Sequence, residues 1–195
     1  MIRVLDIFFS FLGIVILSPV FLIIYLAICL ESKGGGIYAQ SRIGQFERVF
    51  YLYKFRSMRV GADKGSLITI GDDNRITKSG KFIRKYKLDE LPQLFNVFKG
   101  DMSLVGPRPE VAKYVNLYTE EQRKVLDVRP GITDYASIAY ADENHILELS
   151  DNPEKTYVEQ IMPDKIKLNM QYINNHTVKE YFKIIFLTQK CVIKK

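Results

Sequence analysis

The sequence predicts an α+β protein in two parts: a membrane element over residues 1–36, and a mostly helical globular domain over 37–195 with a short β-hairpin and interfacial amphipathic helices. Three observations predict it. An apolar run without a charge extends from Ile7 to Leu30. Two stretches rich in β-branched and aromatic residues follow it. Beyond Arg75, apolar residues recur mostly at helical spacing. With 195 residues, 47% hydrophobic and 26% charged, the chain can build one substantial core and not two.

The apolar run reads "IFFSFLGIVILSPVFLIIYLAICL". A straight helix of that length reaches across a hydrocarbon core of about 30 Å. It is longer than the apolar region of a cleaved signal and lacks a small-residue cleavage site after it. Ser18 and Pro19 stand at its centre. Proline deletes a backbone hydrogen bond, and a neighbouring serine can satisfy the carbonyl that is freed. A kink there leaves halves of about 18 Å each, too short to cross alone. Arg3 before the run and Lys33 after it give no charge bias toward opposite sides. The residues therefore permit a kinked spanning helix or a helical hairpin dipping into one leaflet.

The formal net charge of +6 and a pI near 9.2 point to an anionic partner, whether lipid headgroup, nucleic acid or phosphorylated substrate. Cys29 and Cys191 form no CxxC, and His145 and His176 share no ligand spacing. A disulfide framework and a zinc site are thereby disfavoured. "ESKGGG" at 31–36 is a flexible exit from the membrane. "IYAQSRIG" and "RVFYLYKFRSM" read as two strands turning around Gly44 to Glu47, with Lys54, Arg56 and Arg59 at the close of the second. A polar loop is expected at 61–75. "RITKSGKFIRKYK" then places Lys78, Lys81, Arg84 and Lys85 on neighbouring helical positions, a solvated face or, beside a membrane anchor, a stripe for anionic headgroups.

Next comes "YKLDELPQLFNVFKG". Pro92 suits a first helical turn, and Leu91, Leu94, Phe95 and Phe98 repeat at helical spacing. Asp89 and Glu90, just ahead, can cap that helix or do chemistry. In "KGDMSLVGPRPE", Arg108 stands between Pro107 and Pro109; in "VRPGIT", Arg129 precedes Pro130 and Gly131. Rigid backbone of this kind holds a guanidinium for two-point recognition of phosphate. The remainder predicts a helix begun by Thr119, two helical pieces divided at Pro163, and a last helix from Thr177 with a wide apolar face that packs on the core or lies among headgroups.

The blocks "YLYKFRSM", "GKFIRKYKLDELPQLFNVFKGDMSLVGPRPE" and "VRPGIT", in this order behind an apolar run with a Ser-Pro pair, resemble the bacterial sugar transferases, the monotopic polyprenyl-phosphate phosphoglycosyl transferases, in their small catalytic-core form. The resemblance spans essentially the whole chain. It implies transfer of a sugar 1-phosphate from a UDP-sugar to polyprenyl (undecaprenyl) phosphate with Mg2+, giving polyprenyl diphosphate sugar and UMP, the first membrane step of glycan assembly. It further implies a re-entrant hairpin broken at Ser18 and Pro19, and a location on the cytoplasmic face of the bacterial inner membrane. Asp89 and Glu90 correspond to the family's catalytic pair: Asp89 as the nucleophile of a covalent aspartyl phosphosugar, Glu90 as a magnesium ligand that assists the acceptor, with Asp89 also counted among the metal ligands.

Arg84, Arg108, Arg129, Lys54 and Arg56 are the expected phosphate-binding cations. The chain departs from the family pattern in "GITDYASIAYADEN", where Asp134 stands in place of a common glycine and an arginine is missing. The overlapping stretch "TDYASIAYADENH" at 133–145 is expected to influence the choice of sugar. The alternative is a membrane-tethered adaptor whose basic face binds anionic lipid or nucleic acid; the resemblance implies no nucleic acid, and no base-stacking motif encourages one.

Overall fold

The structure, a computed structural model, describes residues 1–62 and 74–193. Most of the polar loop expected at 61–75 lies outside them. The chain opens on a 30-residue helix, α1 (Ile2–Glu31). A hairpin follows, β1 (Ile37–Ile43) and β2 (Val49–Phe55), paired antiparallel from Ile37 opposite Phe55 to Ile43 opposite Val49. Then come α2 (Lys78–Lys85), α3 (Gln93–Lys99) and β3 (Ser103–Val105).

After two short helices, α4 (Ala112–Val115) and α5 (Glu120–Arg123), the chain forms β4 (Gly131–Thr133). It ends in α6 (Tyr135–Ala139), α7 (Glu143–Glu148), α8 (Pro153–Thr156), α9 (Met162–Asn174) and α10 (Val178–Ile193). The result is mostly helical α+β.

The helical hairpin expected from Ser18 and Pro19 does not appear as two elements. α1 runs through Pro19 as one helix. Pro19 has no N–H for the carbonyl four residues back, but the Ser18 hydroxyl donates to that Val15 carbonyl at 2.8 Å, so the break is mended locally. Both ends of α1 are fastened to the globular part. Arg3 donates to the carbonyls of Val97 at 2.6 Å and Phe98 at 2.8 Å. Asp6, buried, accepts from the Ser103 hydroxyl, the Leu104 N–H and the Tyr181 hydroxyl, each at 3.0 Å. Glu31 accepts from the N–H groups of Lys78 at 2.6 Å and Ser79 at 2.8 Å.

Between these ends lies α3. Leu94 meets Gly13, Phe95 packs on Phe21 and Phe98 on Phe11. The apolar repeat of α3 thus faces α1. Its other side buries Asn96 against β2, where the amide accepts from Tyr53 N–H and donates to the Tyr51 carbonyl. The outward face of α1 stays apolar and exposed, including Phe8, Ile16, Leu22, Ile23 and Leu26. Among the described residues α1 is long and apolar enough to cross a membrane.

The parallel pair β3–β4 was not visible in the sequence. It forms because Gly106 and Gly131 let two backbones touch: a Cβ on Gly131 would lie 2.1 Å from the Gly106 nitrogen. Across 153–174 the helical pieces are not divided at Pro163: they join through a π-helical turn, Tyr157–Ile161, and Pro163 is the second residue of α9. Thr119 caps α5 in a capping box with Gln122, and the Thr177 hydroxyl accepts from Glu180 N–H at the start of α10. That last helix buries Tyr181 and Ile184 and leaves Phe182 and Phe186 exposed. Along the basic helix α2, Ile83 is buried against Ile24, Ile28 and Phe55, and Phe82 points outward beside Tyr86 just past its end.

Candidate active site

α2 ends at Lys85, and Lys87 takes a left-handed conformation, φ 54°, ψ 25°. A lysine tolerates this only where its surroundings hold it, a pattern concentrated at functional sites. The reversal leads into a single 3-10 turn, Leu88–Glu90. Residues three apart in such a turn lie one above the other, and Leu88 and Leu91 both pack against the cluster formed by Ile24, Ile28, Phe55 and Ile83. The turn is thereby seated on α1 by its apolar side. Asp89 and Glu90 occupy the remaining two directions, which gives them different neighbours.

Neither carboxylate caps α3. Its N-cap position is Pro92, with no side-chain cap bond. Glu90 is instead gripped by Arg108 at two points, Nη1 to Oε2 at 3.3 Å and Nη2 to Oε1, and by Lys54 Nζ at 3.4 Å. Glu90 and Lys54 side chains are about four-fifths buried, at 20% and 19% exposure. Burial opposes ionisation of Glu90, but the charges of Arg108 and Lys54 and the Arg108 hydrogen bonds outweigh it and hold the carboxyl far below the usual range. Arg108 is held well above its ordinary value by Glu90, against burial. Lys54 is pushed down by burial, with Glu90 opposing.

Asp89 goes the other way. Burial raises its carboxyl, the Glu90 charge raises it further, and Lys54 and Arg84 pull it back. Two adjacent carboxyls with divergent environments are suited to different chemical roles. Among the described residues no group of three or more His, Cys, Asp and Glu gathers to hold a metal by itself. A magnesium ion shared with a diphosphate needs only one or two protein carboxylates, and for Glu90 to be one of them it must give up part of its grip by Arg108 and Lys54.

The expected cations divide. Lys54 and Arg108 grip Glu90, and Arg84 acts on Asp89. Arg56 is placed elsewhere: buried, its Nη2 donates to the Ser32 carbonyl and hydroxyl at 3.0 Å each and to the Gly34 carbonyl at 3.2 Å, pinning the exit from α1. Arg129 lies at the far end of α3, where its Nε donates to the Gly100 carbonyl at 3.0 Å. Although β3–β4 brings the two arginine-proline phrases side by side, their guanidinium groups serve different places.

Several residues bearing on the site carried no sequence signal for the contacts they make there. Arg42 on β1 donates to the Pro109 carbonyl at 3.0 Å and pairs with Glu110, which also accepts from the Tyr157 hydroxyl. Asp134 was marked as a departure, yet not as a contact of Arg108, whose N–H it accepts at 2.8 Å. Behind the Pro107–Glu110 backbone runs a narrow cleft walled in part by Tyr118, Tyr157, Lys165 and Asn169, and residues 133–145 contribute none of its lining.

The chain is 39% identical over 204 residues to a galactosyl transferase, CpsE, of Streptococcus agalactiae serotype III (strain NEM316), covering 98% of this chain and 42% of that protein. It is 35% identical over 202 residues to the UDP-N-acetylgalactosamine-undecaprenyl-phosphate N-acetylgalactosaminephosphotransferase of Aeromonas hydrophila, covering 98% and 43%. It is 36% identical over 195 residues to the UDP-glucose:undecaprenyl-phosphate glucose-1-phosphate transferase of Escherichia coli (strain K12), covering 95% and 39%. The chain spans less than half the length of these three relatives. The family model described as bacterial sugar transferase matches residues 1–195. With its whole length matched, the chain belongs to the bacterial sugar transferase family.

Proposed function

We propose that this protein transfers a sugar 1-phosphate from a UDP-sugar to polyprenyl phosphate, as the first membrane step of glycan assembly. The observation that carries the reading is the asymmetric carboxylate pair: Glu90 locked to Arg108 and Lys54, Asp89 half-buried and free of that grip, on a turn seated against an apolar helix. The activities named for the Aeromonas and Escherichia relatives support the same substrates.

Asp89 is the nucleophile. A carboxylate oxygen bonds to the sugar-bearing phosphorus, the bond from that phosphorus to the bridging oxygen breaks, and UMP leaves with the electron pair. Polyprenyl phosphate then bonds to the same phosphorus and releases Asp89, so one hard displacement becomes two easier ones. Arg108, Lys54 and Arg84 supply positive charge around the phosphoryl oxygens. Asp89 and Glu90 would hold magnesium, which supplies charge neutralisation of the diphosphate.

The membrane element is read as monotopic, with Met1 and the globular domain both on the cytoplasmic face of the inner membrane; a re-entrant hairpin would need α1, unbroken here, to bend further at Pro19. The support for the monotopic reading is the fastening of α1 at Arg3, Asp6 and Glu31 to one globular body. A straight 30-residue helix is about 45 Å long, and one crossing upright would carry those anchors to opposite sides. The outward Phe82, Tyr86, Phe182 and Phe186, beside Lys81, Lys85 and Lys183, suit the interface.

The test is UMP release from a panel of UDP-hexoses and UDP-N-acetylhexosamines, with polyprenyl phosphate in lipid and Mg2+. Release with at least one donor that depends on the lipid acceptor is expected; silence across the panel would overturn the reading.

A further inference from the structure

We propose that Asp134, held by Asn169, is a positioning residue that sets where the Arg108 guanidinium meets Glu90; the proposal rests on the transferase reading above. Arg108 lies between two prolines, so its own N–H is the sole backbone donor from 107 to 109. That N–H donates to Asp134 Oδ2 at 2.8 Å. On one side of it the Gly131 N–H donates to the Pro107 carbonyl at 2.9 Å and the Gly106 N–H to the Thr133 carbonyl at 3.0 Å. On the other, Arg42 holds the Pro109 carbonyl. The loop is tied at each point from which the arginine could swing.

Asp134 is buried at 1% exposure, and its second oxygen accepts from Ser137 N–H as the cap of α6. A serine or threonine hydroxyl would cap that helix as well, without the penalty of burying a carboxylate. The charge is therefore explained by the other oxygen. Asn169 reinforces this. Its Nδ2 donates to the same Oδ2 at 3.2 Å, while its own Oδ1 is buried without a partner among the described residues. An orphaned buried oxygen is unfavourable, so the amide is oriented for Asp134 at its own expense. A two-point guanidinium–carboxylate contact is sensitive to small displacements, and the Arg108–Glu90 pair is such a contact.

Asp134→Ser separates the two duties, since it keeps a cap for α6 and removes the acceptor of Arg108. In the full chain in detergent with 15N-labelled arginine, hydrogen exchange at the Arg108 amide should quicken by more than about tenfold, and the Arg108 guanidinium signal should shift. kcat for UMP release should fall by about tenfold to a hundredfold, yet Asp134→Ser should change nothing further in an Arg108→Ala background, because it acts only through that side chain. Equal losses in both backgrounds, or an unchanged Arg108 amide, would overturn the proposal. Asn169→Ala should move the same signals in the same direction by less, and it decides the matter if Asp134→Ser does not fold; unchanged Arg108 signals there overturn the proposal too. If wild-type protein releases no UMP with any donor, the transferase reading fails by itself, and the exchange measurement still decides whether Asp134 holds Arg108.

Discussion

The Ser18 hydroxyl donates to the Val15 carbonyl at 2.8 Å, and Val15 is the residue whose helical partner Pro19 cannot supply. One side chain thus replaces one missing backbone donor inside an apolar helix, where an unmet carbonyl is unfavourable. Ser18→Ala should destabilise the protein by about 1 kcal/mol. In a Pro19→Ala background, where the backbone donor returns, the same change should be close to neutral, and a double-mutant cycle of thermal unfolding in detergent reads the difference.

Pro19→Ala should also stiffen α1 toward an upright crossing and lower activity. With Cys29 and Cys191 replaced, cysteines placed at Ile2 and Gly34 should label from the same side of a bilayer in the parent and shift toward opposite sides in Pro19→Ala. Opposite labelling in the parent would sink the monotopic reading.

Asp89→Asn should abolish turnover without unfolding the chain, because Asp89 carries no cap bond of α3 and an amide is a poor nucleophile. Its stability should hold or rise at neutral pH. The folded carboxyl is raised above its ordinary 3.8, so the folded state binds more protons than the unfolded one and Asp89 subtracts stability as pH climbs through that window. Intact mass after mixing with UDP-sugar, without lipid acceptor, should show a sugar-phosphate adduct on wild type and none on the variant.

Glu90 carries the opposite sign. Its carboxyl is lowered from 4.5, so its stabilisation is complete above that value and is lost as pH falls below it toward the folded pKa. Glu90→Gln should weaken the two-point bond to Arg108, reduce stability by about 1–3 kcal/mol near neutrality, and flatten the acid limb of a melting-temperature profile. An acid limb identical to wild type would show that the Arg108 and Lys54 contacts contribute nothing measurable.

Gly106→Ala would bring a Cβ to 2.4 Å from the Arg129 carbonyl oxygen. The β3–β4 backbones must then part, with a loss of about 1–3 kcal/mol and a displaced Arg108. Activity should fall more than at Gly35→Ala, where nothing lies within 4 Å of the added carbon; equal effects would deny the close approach any role.

Local chemistry by itself determined much of this protein. The β1–β2 hairpin, the Thr119 and Thr177 caps, the helix after Pro92 and the apolar α1 were legible because turn residues, hydroxyl caps and short-period patterning act within a few residues. Asp89 and Glu90 were singled out by adjacency and by the resemblance of the surrounding block, but their unequal environments were not, since these depend on Lys54 and Arg108, 36 and 18 residues from Glu90. Only the tertiary structure separated Arg108 from Arg129, whose flanking sequences are alike while their partners, Glu90 and Gly100, lie at opposite ends of α3. It likewise set Arg56 to pinning the turn after α1 and gave Asp134 to the Arg108 backbone. The physical reason is common to all of these. A charged side chain declares its charge in the sequence, but its role is fixed by whichever opposite charge or orphaned backbone group the fold buries beside it, and that pairing is a long-range outcome of packing.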